Sequence, residues 1–170
     1  MQLNSLKDVF ADQIEDLYGA EQQLVQPLPQ MADAATSPEL RQAFEEHLEQ
    51  TRHHVRRLEE VFADAGIPRK AEHCEGMEGL IQEGREIAEA GGDPPAKDAA
   101  LIAAAQRVEH YEIAAYGTAR TLAGELGLGD VESMLDEMLA EEGQADKVLS
   151  KIATGGMFSS GDNQEAASRT

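Results

Sequence analysis

The sequence predicts an all-α protein: four long helices in a bundle, with one long crossover containing a short extra helix. Three observations lead there. Apolar residues recur at steps of three and four along four long segments. No run alternates with the two-residue period of a strand. Breaks built from glycine, proline and polar residues separate the segments. The 170 residues suit a single domain with a sizeable core.

Taken in order, Ser5-Leu6-Lys7-Asp8 has capping-box form and opens the first helix, whose seam runs Phe10, Ile14, Leu17, Glu21, Leu24, Leu28 and Met31. Pro27 and Pro29 should kink or interrupt it near Gln26. Ser37-Pro38 is an N-cap followed by the proline favoured in a first turn. The second helix carries Leu40, Phe44, Leu48, Thr51, Val55, Leu58 and Phe62 on one side, with His47 and His54 on the flank of that stripe. Gly66-Ile67-Pro68 closes it. A polar, irregular stretch from Arg69 to Glu75 precedes a short amphipathic helix over residues 77–90.

Gly91-Gly92-Asp93-Pro94-Pro95 is a break, and an Ala-rich helix follows from about residue 96 to 126. Asp130 is the expected cap of the last helix, with the seam Val131, Leu135, Met138, Glu142, Ala145, Leu149 and Ile152. Residues 1–154 therefore form the bundle. Residues 155–170, rich in Gly, Ser, Asp and Asn, are expected to be a flexible tail. Two short connections and one long crossover are the ferritin-like arrangement of a four-helix bundle.

Composition narrows the function. A formal net charge of −19 repels nucleic acid and anionic membrane, so neither is an expected partner. Cys74 is the only cysteine, which excludes an intramolecular disulfide and a cysteine-based zinc site. It falls outside the bundle proper, in a structural or minor redox role. No signal-like or membrane-length apolar run is present, and the expected location is cytoplasmic.

The informative feature is where the seams break. Glu21, Glu112 and Glu142 each occupy a position that calls for an aliphatic side chain; the Ala-rich helix reads Leu101, Ala105, Val108, Glu112, Ala115, Ala119, Leu122. Each acid falls near the midpoint of its helix, and midpoints of similar-length helices meet at one level whichever way they run. Glu109 and Asp146, one turn away, can reach the same level from the flank. His54 is the best imidazole candidate, whereas His47 is either a flank histidine or an outer partner, and Gln50 is at most a weak neutral ligand. His110 points away from the seam. Tyr18, Tyr111 and Tyr116 either bond the carboxylates or pack as ordinary half-buried side chains. Carboxylates converging in a dry interior must share protons or be neutralised by a cation. Oxygen-rich ligation with one or two imidazoles suits Fe or Mn, and Zn less readily.

The residues also carry a resemblance. Asp16-Leu17-Tyr18-Gly19-Ala20-Glu21, His47-Leu48-Glu49-Gln50-Thr51, Cys74-Glu75-Gly76-Met77-Glu78-Gly79-Leu80, Asp98 to Gln106, Val108-Glu109-His110-Tyr111-Glu112 and Glu141-Glu142 with Asp146 resemble the YciE/YciF group of ferritin-like bacterial stress proteins. The resemblance implies a rubrerythrin-related bundle, a homodimer, and a di-iron site. In it Glu21 would be the first helix's carboxylate, Glu109 and Glu112 a Glu-x-x-Glu pair, and Glu142 the carboxylate of the last helix.

Two departures stand out. The second helix lacks a Glu-x-x-His, Gln50 with His53 or His54 being nearest. On the last helix Ala145 stands three residues after Glu142, so Asp146 would replace a histidine. These leave a single-metal site open. The function expected is a carboxylate-bound metal centre, Fe with up to two ions or Mn instead, acting with O₂ or peroxide. The metal-ligand candidates are Glu21, His54, Glu109, Glu112, Glu142 and Asp146. The alternative is a non-enzymatic stress scaffold or metal buffer.

Overall fold

A computed structural model of the chain describes residues 3–156 and 159–168. The helices are α1 (Leu6–Leu24), α2 (Pro27–Ala34), α3 (Pro38–Asp64), α4 (Glu75–Glu89), α5 (Pro94–Glu125), α6 (Gly129–Thr154) and α7 (Asp162–Ala167). The all-α bundle expected from the sequence is the fold found. The prolines do interrupt the first rod: α1 ends at Leu24 and α2 restarts with Pro27 in its first turn, where the missing N–H is not needed. Ser5 and Ser37 cap α1 and α3, their side chains accepting from the backbone N–H groups of Asp8 and Leu40. Two other boundaries shift. α5 begins at Pro94, and α6 begins at Gly129 after Leu128, so Asp130 lies inside the first turn instead of capping it.

The core divides into two apolar clusters, and every bundle helix crosses from one to the other at its polar break. One cluster holds Leu24, Leu28, Leu40, Phe44, Leu101, Val108 and Leu149. The second holds Ile14, Leu17, Leu58, Phe62, Tyr116, Leu135 and Met138. Glu21 lies between Leu17 and Leu24, Glu112 between Val108 and Tyr116, and Glu142 between Met138 and Leu149. The order of clusters along each chain segment makes α1 and α6 run one way and α3 and α5 the other. The crossover that joins the parallel pair α3 and α5 carries α4, which packs on α5 and α2.

Close approach fixes that crossover to the bundle. A Cβ on Gly19 would meet the Glu72 carbonyl oxygen at 1.7 Å, so only glycine lets the loop lie against α1, where the Glu72 N–H donates to the Glu15 carbonyl at 3.2 Å. Cys74 is a correction. It is buried in the first cluster, and its Sγ caps α4 by accepting from the Met77 N–H, because the loop folds inward over α1.

The C-terminal stretch also differs from the expected frayed tail. Gly155 turns the chain out of α6, residues 155–156 pair antiparallel with residues 159–160, and α7 packs on α5 and α6. Residues 157–158 and 169–170 of that expectation lie outside the described residues. Among the described residues no helix is long and apolar enough to cross a membrane.

Candidate metal centre

The seam of α3 is where the sequence reading and the structure part. The stripe that faces the core runs Leu40, Phe44, His47, Thr51, His54, Leu58, Val61 and Phe62, while Leu48 and Val55 are only half-buried. Leu40, Phe44, Thr51, Leu58 and Phe62 belong to both the expected and the observed stripe, and His47 and His54 take the inward positions expected of Leu48 and Val55. His47 is thus not a flank histidine; both imidazoles point inward. The steps of three and four through His47, Thr51 and His54 were a signal for this, overridden by the more apolar Leu48 and Val55.

The layer between the two clusters is deeply buried: Glu21, His54 and Glu112 at 0 % exposure, Glu142 at 1 %, Glu109 at 2 % and His47 at 6 %. It resolves into two groups that share Glu142. His47, Glu109, Glu112 and Glu142 offer donor atoms that all lie within 4.8 Å of one another, and so do Glu21, His54 and Glu142. His110 is exposed, as expected. Asp146 is a correction. It belongs to neither group: its carboxylate accepts from Gln106 at 3.0 Å and lies 3.6 Å from His110, drawn outward because α6 turns it off the seam.

Around His54 both ring nitrogens are engaged, while Glu21 Oε2 is left without a hydrogen-bond partner. Nδ1 lies 3.1 Å from Glu21 Oε1 and 2.8 Å from Glu142 Oε1, and Nε2 lies 2.7 Å from Glu141 Oε2 at the rim. Burial works against the imidazolium, but the bonds to Glu142 and Glu21 overcome it and hold the His54 pKa up to about 11. Both ring N–H groups then donate. Tyr116, itself fully buried, donates to Glu21 Oε1 at 2.5 Å and stacks edge-on to His54. Arg57 reaches Glu141 at 3.7 Å and Glu137 at 2.5 Å, anchoring the rim. Glu141 gave no periodic signal in the sequence, since it sits beside the seam.

The group around His47 is not complete. Both ring nitrogens of His47 and both oxygens of Glu112 are buried without a hydrogen-bond partner, as is Glu109 Oε2. His47 Nε2 lies 3.5 Å from Glu109 and 4.0 Å from Glu112, and Nδ1 lies 4.0 Å from Glu142, all beyond hydrogen-bonding distance. Burial pushes the Glu109 and Glu112 carboxyls well above the usual range, and the Glu142 charge pushes them further. Burial would raise Glu142 too, yet its bond to His54 holds it below that range. Two unit charges about 4.8 Å apart repel by roughly 3–4 kcal/mol at an effective dielectric near 20. Orphaned buried acceptors are rare in folded proteins and call for a ligand or ion. The donor set of carboxylate oxygens and imidazole nitrogen, spaced by 3.5–4.0 Å, fits around one cation that bonds each donor at about 2.1 Å.

The remaining tyrosines serve elsewhere: Tyr18 donates to Glu59, and Tyr111 donates to Asp16 at 2.5 Å while lying 2.9 Å from Cys74 Sγ.

Fold and centre together define a class: helical bundles in which glutamates and histidines from four separate helices meet at mid-height in a group able to hold a metal ion. The chain belongs to the family described as Domain of unknown function (DUF892), which it matches over residues 5–164. It is 40 % identical over 165 residues to protein YciF of Escherichia coli (strain K12), covering 96 % of this chain and 99 % of YciF. The crystal structure of the E. coli stress protein YciF matches with a TM-score of 0.85 at 42 % identity, covering 88 % of this chain and 94 % of that one. The structure of YcfI from Rhodopseudomonas palustris matches with a TM-score of 0.86 at 39 % identity, covering 89 % and 97 % of the two chains. The resemblance read from the motifs is thereby borne out.

Proposed function

We propose that the protein is a non-haem iron or manganese carboxylate protein of the YciF-like stress family, using the bound metal with dioxygen or peroxide. One observation carries the reading. His47, Glu109, Glu112 and Glu142 bring several buried, unpartnered donor atoms to a single point. Glu112, with both oxygens free, and His47 are the principal ligands, and Glu109 joins from the flank. Glu142 sits between the two groups and is the natural bridge should a second ion bind beside Glu21, whose Oε2 is also unpartnered.

His54 is assigned differently from its neighbour. Its nitrogens are spoken for by Glu21, Glu142 and Glu141, so it orients the two buried glutamates and balances their charge. Tyr116 fixes Glu21 from the other side. Iron or manganese in such a site supplies one-electron redox and Lewis-acid chemistry. Enclosure between two apolar clusters keeps bulk water from competing for it.

The test is metal analysis of protein purified without added metal, then anaerobic Fe(II) titration and exposure to O₂. Stoichiometric binding followed by rapid oxidation supports the reading. No binding, with an unchanged melting temperature in Fe(II) and Mn(II), overturns it.

A further inference from the structure

Among the described residues, two spaces touch the buried centre at His47 and Glu109. One is a void of about 20 Å³ walled chiefly by aliphatic side chains such as Leu24, Leu28, Ala104 and Val108. It has room for about one water, with few polar groups to hold it. The other is a crevice of about 280 Å³ between α3 and α6, lined among others by Gln50, Gln144, Ala145 and Val148. It is large enough for several small molecules, and two carboxamides from facing helices offer both donors and acceptors along its walls.

Ala145 lines the crevice one turn after Glu142, half-buried, and its methyl group fills little of the space there. The inner wall is His47, whose two ring nitrogens have no hydrogen-bond partner. Of the six site residues His47 is also the least buried, at 6 % exposure. Glu109 joins it at the crevice wall, and Glu21, Glu112 and Glu142 lie sealed between the apolar clusters.

We infer that the α3–α6 crevice is the path by which a small neutral molecule of dioxygen or peroxide size reaches the centre, held open by the short side chain of Ala145. Acidic walls at Glu46 and Glu109 and a net charge of −19 disfavour anions. The inference rests on the metal reading above and adds to it a direction of approach and a preference for uncharged molecules over anions.

The probe is nitric oxide, a neutral diatomic that binds Fe(II), mixed anaerobically with the Fe(II)-loaded protein in a stopped-flow instrument. Ala145→Leu and Val148→Phe, both at half-buried positions, narrow the crevice from two points. Ala104→Leu fills the aliphatic void instead. Both crevice variants should retain wild-type Fe(II) stoichiometry while nitric oxide associates at least tenfold more slowly; Ala104→Leu should leave the rate unchanged.

Unchanged rates in both crevice variants with Fe(II) retained overturn the path alone. So does slowing by Ala104→Leu in their place. Loss of Fe(II) from both crevice variants overturns it as well, since those side chains would then be structural. Failure of the wild type to bind Fe(II), seen before any nitric oxide is added, overturns the metal reading and the path with it.

Discussion

His54 and His47 sit two turns apart on the same face of α3, yet their surroundings are opposite. Around His54 every ring nitrogen has a carboxylate within 3.1 Å, and the positive charge is shared by Glu21, Glu142 and Glu141. Around His47 three carboxylates stand at 3.5–4.0 Å, and neither ring nitrogen makes a hydrogen bond. The first group is held together by its own charges, whereas the second is a set of donors without an acceptor. A buried ion-paired histidine and a candidate metal group thus differ, within one layer of one protein, in whether the ring nitrogens are already satisfied.

Removing each histidine breaks the comparison most sharply. His54→Ala strands Glu21 and Glu142 as buried, uncompensated carboxylates. It should destabilise the metal-free protein by about 3–5 kcal/mol, or roughly 10 °C in melting temperature. His47→Ala removes no hydrogen bond and should cost the metal-free protein far less, about 1 kcal/mol for lost packing. The order reverses on adding Mn(II): the wild type should gain about 4 kcal/mol at a thousandfold excess over Kd, and His47→Ala should gain little. Thermal unfolding in chelator and in Mn(II) reads both.

Glu112→Gln should separate stability from binding. Taking one charge out of the crowded group should raise the melting temperature in chelator by a few degrees, corresponding to about 1–2 kcal/mol. The same change should abolish stabilisation by metal. A variant melting lower than wild type in chelator would mean the carboxylates are not in conflict.

The pH dependence should differ between the two states. Glu109 and Glu112 have folded pKa values raised above their unfolded ones, first by burial and then by the Glu142 charge. The folded, metal-free protein therefore binds more protons than the unfolded chain. Their contribution is full below the unfolded pKa of about 4.5 and is lost as pH rises toward the folded values. Metal requires the carboxylates ionised, so binding should release protons, and the stabilisation that metal adds over the metal-free protein should grow with pH over the same range. Melting curves from pH 4.5 to 8, with and without Mn(II), test the sign.

Thr51 gives the smallest effect. It lies between the two histidines, and its hydroxyl is buried without a hydrogen-bond partner. Thr51→Val should raise stability in chelator by roughly 0.5–1 kcal/mol. A loss instead would place a water or ion on that hydroxyl.

Much of this layer was legible in the chain. Glu21, Glu112 and Glu142 interrupt aliphatic seams at mid-helix, and a bundle must bring midpoints together. Glu109 followed from its place one turn away. The register of α3 was less legible, because two interleaved stripes share Leu40, Phe44, Thr51, Leu58 and Phe62, and local hydrophobicity favours the one through Leu48 and Val55. What decides it is tertiary: four buried carboxylates on other helices, Glu21, Glu109, Glu112 and Glu142, need imidazoles inside. Asp146 failed for the opposite reason, since α6 carries it beyond the seam to Gln106 and His110. The burial of Cys74 depends on a loop contact at Gly19, which no periodicity within a helix records.

The most direct test is a crystal grown or soaked with Fe(II) or Mn(II) and measured on both sides of the metal's absorption edge. The account expects an anomalous peak bounded by His47, Glu109, Glu112 and Glu142, with His54 still bonded to Glu21 and Glu141 and outside the coordination sphere. A peak coordinated by His54, or fully soaked crystals with no peak between the two apolar clusters, would contradict it.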